Sequence, residues 1–134
     1  MSTTKRLSAA DIMTQRVVTA HPNDDVSRIA SEMERHEIGS VVIVERGKVV
    51  GILTERDFVR IVEQVGMLLD KSLARHHMAK PVATVQSDTS VLDIIKLMKE
   101  KHIRHIVVLN KNQEVAGVIS SRDLMKVTSE VMSI

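Results

Sequence analysis

The chain has 134 residues, enough for one domain or for two very small units sharing a core. Hydrophobic residues make up 43% and charged residues 27%, as in ordinary globular proteins; the absence of Cys excludes disulfides, thiolate zinc sites, iron–sulfur clusters and a cysteine nucleophile. Phe58 is the sole aromatic residue, and 19 basic against 17 acidic residues leave +2, which argues against base-stacking platforms and an electrostatic footprint on DNA.

No run is long and apolar enough to cross a membrane, and Met1 to Ala10 lacks the hydrophobic centre of a signal peptide. The expected location is the cytoplasm. Val, Ile, Leu and the eight Met must build the core.

The chain contains itself twice. Met78 stands 65 positions after Met13, and at that offset Val17 meets Val82, Thr19 meets Thr84, Ile29 meets Ile94 and Met33 meets Met98. After an insertion near Asn112 or Gln113 the offset is 66, and Gly51 meets Gly117, Thr54 meets Ser120 and Asp57 meets Asp123.

Each copy opens with a short apolar run, Val17 to Ala20 and Val82 to Val85. Polar residues that suit a helix start come next, Pro22-Asn23-Asp24 and Ser87-Asp88-Thr89. Val26, Ile29, Ala30 and Met33 then recur at helical spacing, as do Val91, Ile94, Ile95 and Met98. Two β-rich runs follow, Ser40 to Val44 with Val49 to Leu53, and His105 to Leu109 with Val115 to Ile119. Their short connections carry Gly or Asn, which reads as a hairpin. A second helix opens at Thr54 or Ser120. Its apolar face is Phe58, Ile61, Val62 and Val65 in copy one, and Leu124, Val127 and Val131 in copy two.

The fold class is therefore α+β, with tandem β-α-β-β-α repeats over residues 1–66 and 67–134. One repeat alone buries too little surface for secure stability, so a compact pseudo-twofold pair sharing a core is expected. Between the copies, Met67, Leu68 and Leu69 could start a helical turn that Leu73 continues.

The strongest motif is Gly51-Ile52-Leu53-Thr54-Glu55-Arg56-Asp57, repeated as Gly117-Val118-Ile119-Ser120-Ser121-Arg122-Asp123. Each copy places a hydroxyl at a strand end and an Asp three residues on. One reading is a capping-box-like pair that stabilises the helix start by roughly 1 kcal/mol. The other is a ribonucleotide site, because helix-start amides suit an anion and a carboxylate can accept two hydrogen bonds from a ribose diol. Spacing alone leaves both open.

The doubled Gly-apolar-apolar-Thr/Ser-x-x-Asp motif, the starts Ile12-Met13-Thr14 and His77-Met78-Ala79, and the stretches Glu37-Ile38-Gly39-Ser40 and His102-Ile103-Arg104-His105 resemble a pair of CBS domains, a Bateman module. The likeness runs from about Leu7 to Val131; Val42 and Val107 depart from it, standing where the family often has Pro. It implies adenosine ligands (AMP, ADP, ATP or S-adenosylmethionine) in the clefts between repeats. Asp57 and Asp123 would hold ribose hydroxyls, and Thr54 and Ser120 would contact ribose or phosphate. The backbone at Thr19-Ala20 and Thr84-Val85 would frame the adenine. Ile38, Gly39 and Ser40, with Ile103, Arg104 and His105, would stand before the second strand of each copy, facing the phosphates. Arg104 and His105 bring charge that Gly39 and Ser40 lack, so the Ser120–Asp123 cleft should bind a charged nucleotide more tightly than the Thr54–Asp57 cleft.

Nothing in the chain resembles a nucleophile–base pair, a phosphate-cradling glycine loop or a metal motif, so neither enzymatic activity nor a catalytic cofactor is expected. His76-His77, His102 and His105 lack ligand spacing, and Asp24-Asp25 reads as a helix start. The expected function is a stand-alone, energy-sensing regulatory module that reports ligand binding to a downstream protein through a change of shape or of dimer. By the same resemblance it is a homodimer, with no membrane partner. The competing readings are a ligand-free structural or interaction module, and a nucleic-acid-binding protein.

Overall fold

A computed structural model describes residues 7–66 and 71–132, with side chains in the last helix described as far as Val127. The expected turn at Met67, Leu68 and Leu69 lies outside the described residues. The chain divides into two compact units, one of residues 18–82 and one that joins residues 83–134 to those before Val18.

The 18–82 unit holds β1 (Thr19–Ala20), α2 (Val26–His36), β2 (Ser40–Glu45), β3 (Lys48–Thr54), α3 (Glu55–Val65) and α4 (Ala74–His77). The other holds α1 (Ala9–Ile12), β4 (Thr84–Gln86), α5 (Val91–Lys101), β5 (His105–Leu109), β6 (Val115–Ser120) and α6 (Ser121–Met132). Each unit has one three-stranded sheet, in which the first strand runs parallel to the second and the second antiparallel to the third. The mixed α+β reading and the order within each repeat match this architecture.

Packing units and sequence repeats divide the chain differently. The segment ahead of each repeat hydrogen-bonds into the unit built on the other. Val91 N–H donates to Leu7 C=O at 3.0 Å and Ala9 N–H to Thr89 C=O at 2.8 Å. In the 18–82 unit, Val26 N–H donates to Ser72 C=O at 2.9 Å and Ala74 N–H to Asp24 C=O at 2.9 Å. Each segment also pairs with its unit's last strand, through the bridges Thr14–Val118 and Ala79–Ile52.

Local chemistry explains the elements. The β2–β3 hairpin turns on Arg46 (φ 53°) and Gly47 (φ 77°), the two positive values that a tight two-residue connection requires. Helices α2 and α5 both end on a left-handed residue, Glu37 and His102, and the next amide returns to Met33 C=O at 3.0 Å or Met98 C=O at 3.1 Å. These caps turn the chain toward β2 and β5.

The expected helix starts lie one residue early. Asp25 and Ser90 are the N-caps, and Ser90 Oγ accepts from Asp93 N–H at 3.1 Å. Asp24 and Thr89 close the preceding turns instead, accepting from His21 N–H at 2.8 Å and Gln86 N–H at 3.1 Å. Leu73 does not continue a helix; it caps α4 in extended conformation.

Each sheet backs its helices with one core. In the 18–82 unit this core is Val26, Ile29, Met33, Val41, Ile43, Leu53, Ile61 and Ala74, with Phe58 and Val65 packed against it. In the other it is Ala9, Val85, Ile94, Met98, Ile106, Val108 and Ile119, with Leu97 and Leu124 packed against it. Two expected core positions lie outside: Val62 is 52% exposed and Ile95 39%. One sheet covers only a narrow stripe of each helix. Phe58, Ile61 and Val65 fill that stripe on α3, and Ile94, Leu97 and Met98 on α5, so Val62 and Ile95 fall on its flank. Val127 is half-buried, and the side chain of Val131 lies outside the described residues.

Candidate functional site

Strand register sorts the candidate residues by face. Thr19 is level with Val42, which pairs with Ile52; one pleat further on, Ser40 pairs with Thr54. Side chains alternate along a strand, so Thr19, Ser40 and Thr54 share the face opposite the helix-backed core. In the second unit Thr84 is level with Val107, and His105 pairs with Ser120, so Thr84, His105 and Ser120 share the corresponding face. Ala20, Ile38, Val85 and Ile103 turn the other way and pack in the cores. Only the backbone of these four is available to a ligand on that face.

The end of each sheet is tied to the start of the following helix. Glu55 N–H donates to Gly39 C=O at 3.1 Å, and Ser121 N–H donates to Arg104 C=O at 2.9 Å. Gly39 therefore sits beside the first turn of α3, where a Cβ would come 2.9 Å from Glu55 Oε1. Arg104 is exposed and His105 partly buried, so the second unit places a guanidinium and an imidazole where the first has Gly39 and Ser40.

Capping is present at both motifs. Asp57 Oδ2 accepts from Thr54 N–H at 2.8 Å and from Thr54 Oγ1–H at 3.0 Å, while Thr54 Oγ1 accepts from Asp57 N–H at 3.4 Å. Asp123 Oδ2 accepts from Ser120 N–H at 2.9 Å, and Ser120 Oγ accepts from Asp123 N–H at 3.2 Å. The helix start occupies one oxygen of each carboxylate and leaves the other. Asp57 Oδ1 lies 3.5 Å from Arg60 Nη2, which also donates to His77 C=O at 3.1 Å. Asp123 has no such cation among the described residues; Lys126 stands where Arg60 does in the first copy. Asp123 is thus the less engaged acceptor. An open depression of about 360 Å³, lined by Arg56, Asp57, Val59, Arg60 and Glu63, lies on the outer side of α3.

Sequence reasoning missed His77 and Arg60. Burial, followed by the nearby charges of His76 and Arg60, pushes the His77 imidazole below its usual value. The two meet only through folding, 17 residues apart, and no local pattern announces that contact. Among the described residues, no three of His, Asp and Glu gather in a group that could hold a metal.

Comparisons with known proteins agree with this arrangement. The CBS domain family matches residues 9–64 and 71–130. An uncharacterized protein of Methanopyrus kandleri is 36% identical over 124 residues, covering 92% of this chain, which spans 63% of that relative's length. The crystal structure of the CBS domain pair of protein MJ0100, in complex with 5′-methylthioadenosine and S-adenosyl-L-methionine, is similar at TM-score 0.83 and 25% identity. The match covers 94% of this chain and 98% of that one. A hexameric CBS-CP12 protein from bloom-forming cyanobacteria is similar at TM-score 0.82 and 27% identity, over 90% of this chain and 71% of that one. Two matched repeats, each with its hydroxyl-bearing sheet face and capped acidic helix start, make this chain a member of the CBS-domain family.

Proposed function

We propose that this chain is a regulatory module that binds an adenosine-containing ligand through the hydroxyl face of its repeats, with the Ser120–Asp123 half-site dominant. CBS-domain pairs are generally regulatory modules. The observation that carries the reading is the convergence, in each unit, of strand hydroxyls, a helix start and a carboxylate whose second oxygen is not used by the helix start. Ribose hydroxyls would donate to that oxygen, and the helix start with Arg104 would attract phosphate. Asp123 lacks the competing arginine of Asp57, which favours the second half-site for a charged ligand. A related CBS pair in complex with two adenosine compounds supports the ligand class. No catalytic group enters this account; binding acts by favouring one conformation or association state, which a downstream protein reads.

The test is titration calorimetry and thermal shift with AMP, ADP, ATP, 5′-methylthioadenosine and S-adenosylmethionine. A ligand at 100 times its dissociation constant raises stability by about 2.7 kcal/mol. Asp123→Ala should weaken AMP binding more than Asp57→Ala, with circular dichroism confirming that both variants are folded. A greater loss at Asp57 reverses the ranking. No response to any of the five compounds removes the ligand and leaves a structural or interaction module.

A further inference from the structure

Arg60 Nη2 stands between two acceptors on different elements of the 18–82 unit. It donates to His77 C=O at 3.1 Å, and Asp57 Oδ1 lies 3.5 Å away. His77 is the last residue of α4, so its carbonyl is one of those that a helix end leaves without a partner inside the helix. A planar guanidinium has donors enough to serve a carboxylate and a carbonyl together. The lowered His77 imidazole agrees with this placement, since the Arg60 charge adds to the effects of burial and of His76.

Beyond His77 the chain is tied to β3. Met78 N–H donates to Ala74 C=O at 2.8 Å, and Ala79 exchanges two hydrogen bonds with Ile52, at 2.9 and 3.2 Å. Arg60 thus fastens the stretch that leads toward the second repeat to the helix that carries Asp57. The second copy differs at both ends of the tie: Lys126 replaces Arg60 and Ile12 replaces His77. Lys126 has no ion-pair partner among the described residues, and an ammonium lacks the fork that spans two acceptors.

We infer that Arg60 is a clasp between Asp57 and the His77–Ala79 stretch, closed when its guanidinium holds both and opened by a ribose hydroxyl at Asp57 Oδ1. The helix start uses Asp57 Oδ2, so a hydroxyl donating to Oδ1 takes an acceptor away from Arg60. The guanidinium then keeps His77 C=O alone, and the stretch opens more often. The coupling is reciprocal: a loosened stretch leaves Asp57 freer for the ligand. Occupancy at Asp57 therefore has a structural consequence that occupancy at Asp123 lacks. The ligand step rests on the adenosine reading, whereas the clasp itself does not.

The experiment is amide hydrogen exchange followed by NMR on the full chain, with Arg60→Gln, Asp57→Asn and the double variant. Met78 and Ala79 amides report the stretch. The Val42 amide, bonded to Val18 C=O at 3.1 Å in the buried central strand, is the reference for global opening. Asp57→Asn keeps an oxygen for the Thr54 amide, and circular dichroism checks that each variant folds. The Arg60 side chain is 50% exposed, so each single variant should speed Met78 and Ala79 exchange, relative to Val42, by about two- to fivefold. The double variant should open no further than the faster single, because both substitutions break one tie. 5′-Methylthioadenosine, which carries no charge to act on Arg60, should speed the same amides in wild type and leave them unchanged in Arg60→Gln. A single variant that exchanges like wild type, or a double variant in which the two effects multiply, would overturn the clasp. So would a bound ligand that leaves wild-type exchange unchanged or slows it. No binding at all would remove the adenosine reading, and the three variants alone would then decide the clasp.

Discussion

Gly51 and Gly117, the first residues of the repeated motif, should respond unequally to the same added methyl group. At Gly117 an alanine Cβ would lie 2.6 Å from Met13 Sδ, 2.7 Å from Met13 Cγ and 2.9 Å from the backbone oxygen of Thr14. That oxygen is held in a two-bond bridge, accepting from Val118 N–H at 3.1 Å while Thr14 N–H donates to Val118 C=O at 2.9 Å. Normal carbon–oxygen contact is about 3.3 Å, so the bridge must yield by about 0.4 Å. At Gly51 the three nearest atoms to the Cβ would all belong to Met78: Sδ, Cγ at 2.6 Å and Cβ at 2.9 Å. The Met78 thioether end can swing away at modest cost and leaves its Cβ as the closest remaining contact, whereas the hydrogen-bonded oxygen of Thr14 moves only with its bridge.

Overpacking costs about 1–3 kcal/mol, with Gly51→Ala toward the low end and Gly117→Ala toward the high end. Weakening the Thr14–Val118 bridge adds about 1 kcal/mol at Gly117. Both variants regain about 0.4–1 kcal/mol through a stiffer unfolded chain. Net losses are about 1 kcal/mol for Gly51→Ala and about 2–3 kcal/mol for Gly117→Ala. Urea unfolding with a shared m-value measures the difference. A companion Met78→Ala should rescue part of Gly51→Ala, giving a favourable coupling of about 1 kcal/mol, and Met13→Ala should rescue Gly117→Ala less completely. Equal losses at the two glycines, or a greater one at Gly51, would refute the idea that the backbone contact sets the cost.

Two further outcomes follow from burial and charge. Ile61→Ala should cost about 2–5 kcal/mol, whereas neighbouring Val62→Ala should stay within about 0.5 kcal/mol; chemical denaturation of both variants checks this. His77 has a folded-state pKa below its ordinary 6.5, so the unfolded chain binds the extra proton first as pH falls. Its contribution to stability is therefore complete above that ordinary value and is lost as pH drops through the lowered one. Denaturation midpoints between about pH 7.5 and 5 should decline more steeply for wild type than for His77→Gln, and parallel profiles would remove His77 from the acid sensitivity.

The duplication, the order of elements and the motif spacing were legible in the chain itself, because helix and strand periods are local properties that recur at a constant offset. Thr54, Asp57, Ser120 and Asp123 were legible for the same reason: a cap is a contact over three residues. The flank positions Val62 and Ile95 were not, since helical spacing reports an apolar stripe but not how much of it one sheet covers. Nor was the exchange that sends the segment before each repeat into the opposite unit and sets Met13 on Gly117 and Met78 on Gly51. Those pairs meet across 104 and 27 residues, and only the folded chain brings them together. Tertiary structure also separated Thr19, Ser40 and Thr54 from Ala20 and Ile38. Strand pairing aligns the three hydroxyls on one side of the pleat and sends the apolar pair to the other.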